Sequence, residues 1–215
     1  MIPIGDDDSA RRLTPIVTYF IILLNVIVFF LELSGGNAFI EKWAFVPHRF
    51  LADPSGEFPT LISSMFMHGG WLHLIGNMLY LWIFGDNIED RFGHGKYTLF
   101  YFLCGIAATF AQLAFSADSN IPNLGASGAI AGVLGSYLVL YPKGRIKVWM
   151  GQGVTYAPAL LVIGIWIVLQ LFSGIGSLQS TEQQGGVAYM AHIGGFVAGL
   201  VLTYVFRGQG SVQRA

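Results

Sequence analysis

The stretch PIVTYFIILLNVIVFFLEL, residues Pro15–Leu33, decides the architecture. It carries no charge before Glu32 and is about as long as the roughly 20 apolar residues that span a bilayer as a helix. Further apolar stretches follow at Trp71–Phe84 (with Leu61–Met67 leading into it), Tyr97–Phe115, Ser127–Tyr141, Pro158–Phe172 and Val187–Phe206. Backbone polar groups cannot stay unpaired in hydrocarbon, so all six are expected as helices. Their runs are too long and too continuous for the roughly ten-residue alternating strands of a membrane barrel. Composition agrees. Of the 215 residues, 54% are apolar and 11% charged, where soluble domains carry about 25% charged residues. Mean hydropathy is +0.61. Eleven Lys and Arg against twelve Asp and Glu leave no basic excess for phosphate contacts, which excludes a nucleic-acid binder. The expectation is an all-α, polytopic membrane protein of six transmembrane helices. The 28 glycines suggest helices packed backbone to backbone. The single Cys104 reads as a small buried apolar residue.

Short-loop charges set the expected orientation. With a cytoplasmic N-terminus, the inner segments hold Arg11, Arg12, Arg91, Lys96, Lys143, Arg145, Lys147, Arg207 and Arg214. The outer loops then hold only Lys42 and Arg49. Both termini are therefore expected in the cytoplasm, and the chain as a multi-pass protein of a bacterial inner membrane. The reading divides it into a cytoplasmic segment 1–14, a six-helix domain 15–206 and a cytoplasmic tail 207–215. The acidic start Asp6-Asp7-Asp8 and the length of the first apolar run argue for a retained helix rather than a cleaved leader. The outer stretch Ser34–Thr60 mixes aromatics, prolines and a few charges, as suits a segment at the interface.

Polar residues within spans are costly and mark function by default. No span interior holds Asp or Glu apart from Glu32 at the end of the first, which excludes a buried pair of catalytic carboxylates. His68 and His73 are five apart, about 140° around a helix, so they do not share a face as zinc ligands would. His73 and Asn77 are four apart and do share one. Interhelical hydrogen bonding would explain that pair equally well. Asn25, Gln112 and Gln170 read as packing glue, and His48 and His94 as loop histidines. Ser127 lies in Gly125-Ala126-Ser127-Gly128, where a loop gives way to an apolar run. A helix from Ser127 to Tyr141 is about 22 Å long, short of the roughly 30 Å hydrocarbon core. Ser127 is thereby set about 8 Å below the outer surface, in a pocket open to water. His192 lies just inside the outer end of the last span. The fourth and sixth spans run in the same direction and carry the faces Gly128/Gly132 and Gly195/Gly199. If those faces meet, Ser127 and His192 come together as a minimal activated nucleophile.

These pieces resemble the rhomboid family of intramembrane serine proteases. They are His68-x4-His73-x3-Asn77, then Gly125-Ala126-Ser127-Gly128, then Ala191-His192-Ile193-x-Gly195, on the second, fourth and sixth spans. The resemblance implies a serine endopeptidase with a Ser-His dyad. Ser127 would be the nucleophile and His192 the general base. The Ser127 N–H, His73 and Asn77 would hold the oxyanion, and His68 would support the outer loop. It implies substrates that are transmembrane proteins with helix-weakening and small residues near the cut. No cofactor, metal or nucleic acid is expected; the partners are those substrates and the lipid bilayer. Two positions depart from the family pattern: Pro59-Thr60 stand where a Trp-Arg pair anchors the outer loop, and Ala131 where some members stack a Tyr on the histidine. The loop Ser173–Gly186 is expected as a mobile cap. The competing readings are a catalytically inactive relative that binds or traffics membrane proteins, and a small transporter, which would want midplane charges.

Overall fold

A computed structural model describes residues 1–7, 9, 11–179 and 188–207, and the chain is mostly helical. Helix α1 (Ile16–Trp43) starts after Pro15, whose missing N–H and fixed φ suit a helix start. It bends at Gly36, where φ is 57° and ψ −147°. The helical path thus continues ten residues past the expected end at Leu33. The outer loop is a chain of short helices, α2 (Pro47–Ala52), α3 (Pro54–Glu57) and α4 (Thr60–Ser63), then a 3-10 turn at Ser64–Phe66. Helices α5 (Trp71–Phe92) and α6 (His94–Phe115) are separated only by Gly93. Helix α7 (Ser127–Leu140) is followed by α8 (Ala159–Gln179) and α9 (Tyr189–Phe206).

Four helices are long and apolar enough to cross a membrane: α1, α6, the Ala159–Gly176 part of α8, and α9. Helix α7 is apolar but shorter. Helix α5 is long, but its last turns carry Asp86, Glu89, Asp90 and Arg91. Large apolar side chains such as Phe20, Leu72, Phe172 and Val205 point outward from the bundle, a surface that suits lipid and not water. The chain is thus a multi-pass membrane protein.

Helix α7 is the hub. Every residue from Gly128 to Tyr137 is buried. Glycines let its neighbours approach: a Cβ on Gly195 would lie 2.0 Å from Gly128 O, and one on Gly199 2.0 Å from Gly132 O. The two glycine faces therefore meet as expected, and α6 closes the third side with Ala108 against Gly128. Phe84, Leu81, Tyr97, Phe100, Tyr101 and Leu134 fill the core beside it.

An all-helical chain was expected, and the structure corrects this at the end of the bundle opposite Ser127. Strands β1 (Ile2–Gly5), β2 (Arg145–Trp149) and β3 (Val154–Pro158) form an antiparallel sheet in that order. The physical signal was present. In Arg145-Ile146-Lys147-Val148-Trp149 polar and apolar residues alternate, and Ile146 and Val148 are fully buried while their neighbours are exposed. The N-terminal segment is fixed to this face. Beyond β1, the Tyr137 hydroxyl donates to Asp6 at 2.8 Å, Arg11 pairs with Asp86, and Asp90 accepts from the N–H groups of Arg12 and Leu13. Glu89, fully buried, caps the start of α1: it accepts from the N–H of Val17 at 2.9 Å and from the N–H and hydroxyl of Thr18, each at 2.7 Å. His94, expected in a loop, begins α6 and reaches Glu89 with Nδ1 at 2.6 Å.

Candidate active site

Ser127 is the first residue of α7, and the loop that delivers it is held at two points. Asn123 N–H donates to Phe45 O at 2.7 Å, and Gly125 N–H to Ser64 O at 2.9 Å. Gly125 has φ +133°, a conformation that favours glycine. Ser127 itself remains partly exposed, at the N-terminal and therefore positive end of its helix.

His192 lies in the first turn of α9 and is 7% exposed. Its Nε2 lies 2.8 Å from Ser127 Oγ. The glycine contacts between α7 and α9 set this distance, because they fix the axial register of the two helices near these side chains. Gln112 on α6 helps as well: its Oε1 accepts from Ala191 N–H at 3.2 Å, one residue before the histidine.

The other face of the ring is held by α8. Trp166 lies against the imidazole with centroids 5.7 Å apart and planes at 35°. Gln170, one turn further along the same face, presents Oε1 at 2.7 Å from Nδ1. Tyr189 adds an edge contact at 6.5 Å. These residues occupy the role left open by Ala131. Gln170, read from sequence as packing glue, is thus the residue the sequence reading missed. Its signal was there: from Ala159 to Phe172 it is the one amide or charged side chain in an otherwise apolar run.

His73 approaches from α5, and Asn77 lies one turn further along the same face of that helix. An ideal Cβ on Gly125 would sit 2.9 Å from His73 Nε2 and 3.4 Å from Ser127 Oγ. The gap kept open by glycine therefore lies between the hydroxyl and the imidazole of His73. Asn77 is 8% exposed, and its Nδ2 has no hydrogen-bond partner among the described residues. Buried amide donors are paired with protein or ordered water in most native structures.

His68 was placed from helical spacing on a different face from His73. The rings are instead in contact, with centroids 5.1 Å apart. The helix begins only at Trp71, after Gly69-Gly70, so His68 is on the loop and free to fold back. It is 1% exposed, and its N–H donates to Glu32 Oε2 at 3.0 Å.

The outer loop above the site has its own anchors in place of the Trp-Arg pair. Arg49 donates to Ala44 O at 2.9 Å and to Glu41 O, and its Nε lies 2.8 Å from Glu57. Phe45, Phe50, Leu61 and Leu113 form a small core beneath. The Gly56 N–H and the Ser55 hydroxyl hold the Asp53 carboxyl below its usual range. Of the expected cap, Ser173–Gln179 continues α8, and the rest lies outside the described residues apart from its surroundings at Ala188.

A cavity of about 30 Å3 opens beside Ser127, walled mostly by small residues including Gly105, Ala108, Gly125, Gly128 and Ala191. A far larger groove, about 1130 Å3, runs between α6, α8 and α9. Its lining is apolar throughout and contains neither Ser127 nor His192, so it suits lipid tails. Among the described residues no cluster of His, Cys, Asp or Glu could hold a metal ion.

Residues 55–209 match the Rhomboid domain family model. The chain is 34% identical over 187 residues to the Rhomboid protease GluP of Bacillus subtilis, covering 86% of this chain and 34% of that protein. It is 32% identical over 150 residues to RHOMBOID-like protein 5 of Arabidopsis thaliana, covering 70% of this chain and 44% of the relative. The Rhomboid protease GlpG of Klebsiella pneumoniae is 25% identical over 191 residues, covering 87% and 62%. The chain thus spans about a third to three fifths of the length of these relatives. With the family model covering most of its length, the chain belongs to the rhomboid family.

Proposed function

We propose that the chain is an intramembrane serine endopeptidase that cuts membrane-protein substrates in or near their transmembrane segments. The observation that carries this reading is the 2.8 Å contact between Ser127 Oγ and His192 Nε2. His192 takes the hydroxyl proton as Oγ attacks the scissile carbonyl carbon. The resulting oxyanion falls in the gap beside Gly125, within reach of His73, the Asn77 amide and the Ser127 N–H. His192 then gives the proton to the leaving amine, and a water repeats the cycle on the acyl-enzyme. Among the described residues Gln170 and not an acid meets the imidazole at Nδ1, so the catalytic set is read as a dyad. The cavity beside Ser127 accepts only a small side chain, which favours small residues next to the cut.

The remaining topology follows from the same reading. Helices α5 and α7 join the four long apolar helices in a six-helix protease domain over 15–206. The charged end of α5 sits in the headgroup region, and α7 is short because water reaches its start. Arg11, Arg12, Arg91, Lys143, Arg145 and Lys147 gather on the sheet side, so that side and the segment 1–14 face the cytoplasm. The tail 207–215 follows on the same side, in a bacterial inner membrane.

The test is cleavage of a transmembrane reporter tagged at both ends, in proteoliposomes of known orientation, with products mapped by mass spectrometry. The wild type cuts near the outer end of the reporter helix, and Ser127→Ala gives no product. Equal cleavage by Ser127→Ala, or no cleavage by either protein, overturns the activity. A cut at the cytoplasmic end overturns the orientation.

A further inference from the structure

We infer that Gln170 is a positioning residue for His192, holding the imidazole in the tautomer and orientation that accept the Ser127 proton. This rests on the proposed dyad. An imidazole has two ring nitrogens, and in the neutral ring one donates while the other accepts. Nothing in Ser127 alone decides which. Gln170 Oε1, at 2.7 Å from Nδ1, can only accept, so Nδ1 carries the proton. Nε2 then presents its lone pair to Ser127 Oγ at 2.8 Å.

The placement of Gln170 supports a specific role. A polar side chain in an apolar membrane helix is costly unless it is paired. Helix α8 offers no other amide or charged side chain between Ala159 and Phe172. The one it has is turned to the histidine, on the same face as Trp166, whose ring lies 5.7 Å from the imidazole. The indole fixes the ring plane, and the amide fixes the rotation within it. When His192 becomes an imidazolium, the Nδ1–H bond to Gln170 strengthens, so the amide also favours the charged intermediate. A neutral amide does this without raising the proton affinity of the base as strongly as a carboxylate would. The other titratable groups facing the site among the described residues include Tyr189, whose ring lies 6.5 Å from the imidazole, and His73 on α5, across the gap kept open by Gly125.

The experiment compares wild type, Ser127→Ala, Gln170→Met and Gln170→Glu in proteoliposomes with a transmembrane reporter, measuring kcat, KM and the pH–rate profile. Gln170→Met keeps the length of the side chain and removes the acceptor. It lowers kcat by about tenfold or more, the worth of one hydrogen bond to a charged group, with KM within about twofold. Gln170→Glu restores an acceptor and places a carboxylate beside the ring. It recovers most of kcat at high pH, with the acid limb of the profile moved to higher pH. Packing glue alone would change stability and leave the profile in place. The proposal is overturned if Gln170→Met cleaves at the wild-type rate, or if the Gln170→Glu profile superimposes on the wild type. Should Gln170→Met fail to fold, the Gln170→Glu profile decides. If wild type and Ser127→Ala are equally inactive, the dyad reading fails and this inference falls with it; if they differ and only the Gln170 effects are missing, this inference alone fails.

Discussion

At the scale of single residues, the proposed mechanism asks for hydrogen-bond donors around Ser127. Asn77 is buried with an amide donor that has no partner among the described residues, and His73 faces Ser127 across the space beside Gly125. In that mechanism a donor contributes most when charge develops on the oxyanion. Asn77→Ala is therefore expected to lower kcat by about 100-fold or more while KM changes little. Its thermal unfolding should match the wild type, because the Nδ2 group makes no bond in the resting fold. Steady-state cleavage kinetics with a melting curve check both halves. Ser127, His192, His73 and Asn77 were all legible as candidates, since polar residues stand out in apolar runs. The partners of His192 were not. Which face α8 turns inward depends on how it packs against α9, and no periodicity in an almost uniformly apolar helix reveals that. The contact between His68 and His73 was hidden for a simpler reason: five-residue spacing separates two side chains only if both lie on a helix, and Gly69-Gly70 delay the helix to Trp71.

At the scale of elements, two helices carry the proposed dyad, and glycine sets their registry. Gly195 and Gly199 on α9 lie against the carbonyls of Gly128 and Gly132 on α7, with no room for a methyl group. Backbone cannot move aside as a flexible side chain can, so Gly199→Ala must push the helices apart or slide them. The expected result is a loss of cleavage exceeding tenfold, because displacements near 1 Å at reacting atoms have large effects. Gly164→Ala is the control, as its Cβ would meet nothing within 4 Å, and it should cleave as the wild type does. Equal activity of the two variants would sink the registry argument. The meeting of these faces was readable from paired Gly-x-x-x-Gly spacings on two parallel spans. The sheet was less visible. Strand β1 is four residues long and finds its partner more than 140 residues later, and alternation in a short segment competes poorly with long apolar runs. The expected second span stops at Phe84, short of Glu89. Its run of charges looks like the end of a span, yet the helix continues and buries the carboxylate against the start of α1.

At the scale of the whole molecule, the arrangement separates two tasks. The sheet, the capped start of α1 and the paired charges around Asp86 make one end of the bundle a polar anchor. The opposite end holds a hydroxyl and an imidazole below an outer loop fastened by Arg49. The six-fold pattern of apolar stretches made the membrane bundle legible, while span length alone picks out only four helices. Of the other two expected spans, α7 is shorter and α5 ends in charge, so neither has the length or composition of an isolated span. The account stands or falls on whether the imidazole activates this particular hydroxyl. The direct measurement is the rate of adduct formation at Ser127 with a fluorophosphonate, followed by peptide mass spectrometry on the membrane-embedded chain. The account predicts an adduct on Ser127 in the wild type, formed at least about 100-fold more slowly in His192→Ala. Absence of an adduct at Ser127, or an equal rate without the imidazole, would contradict it.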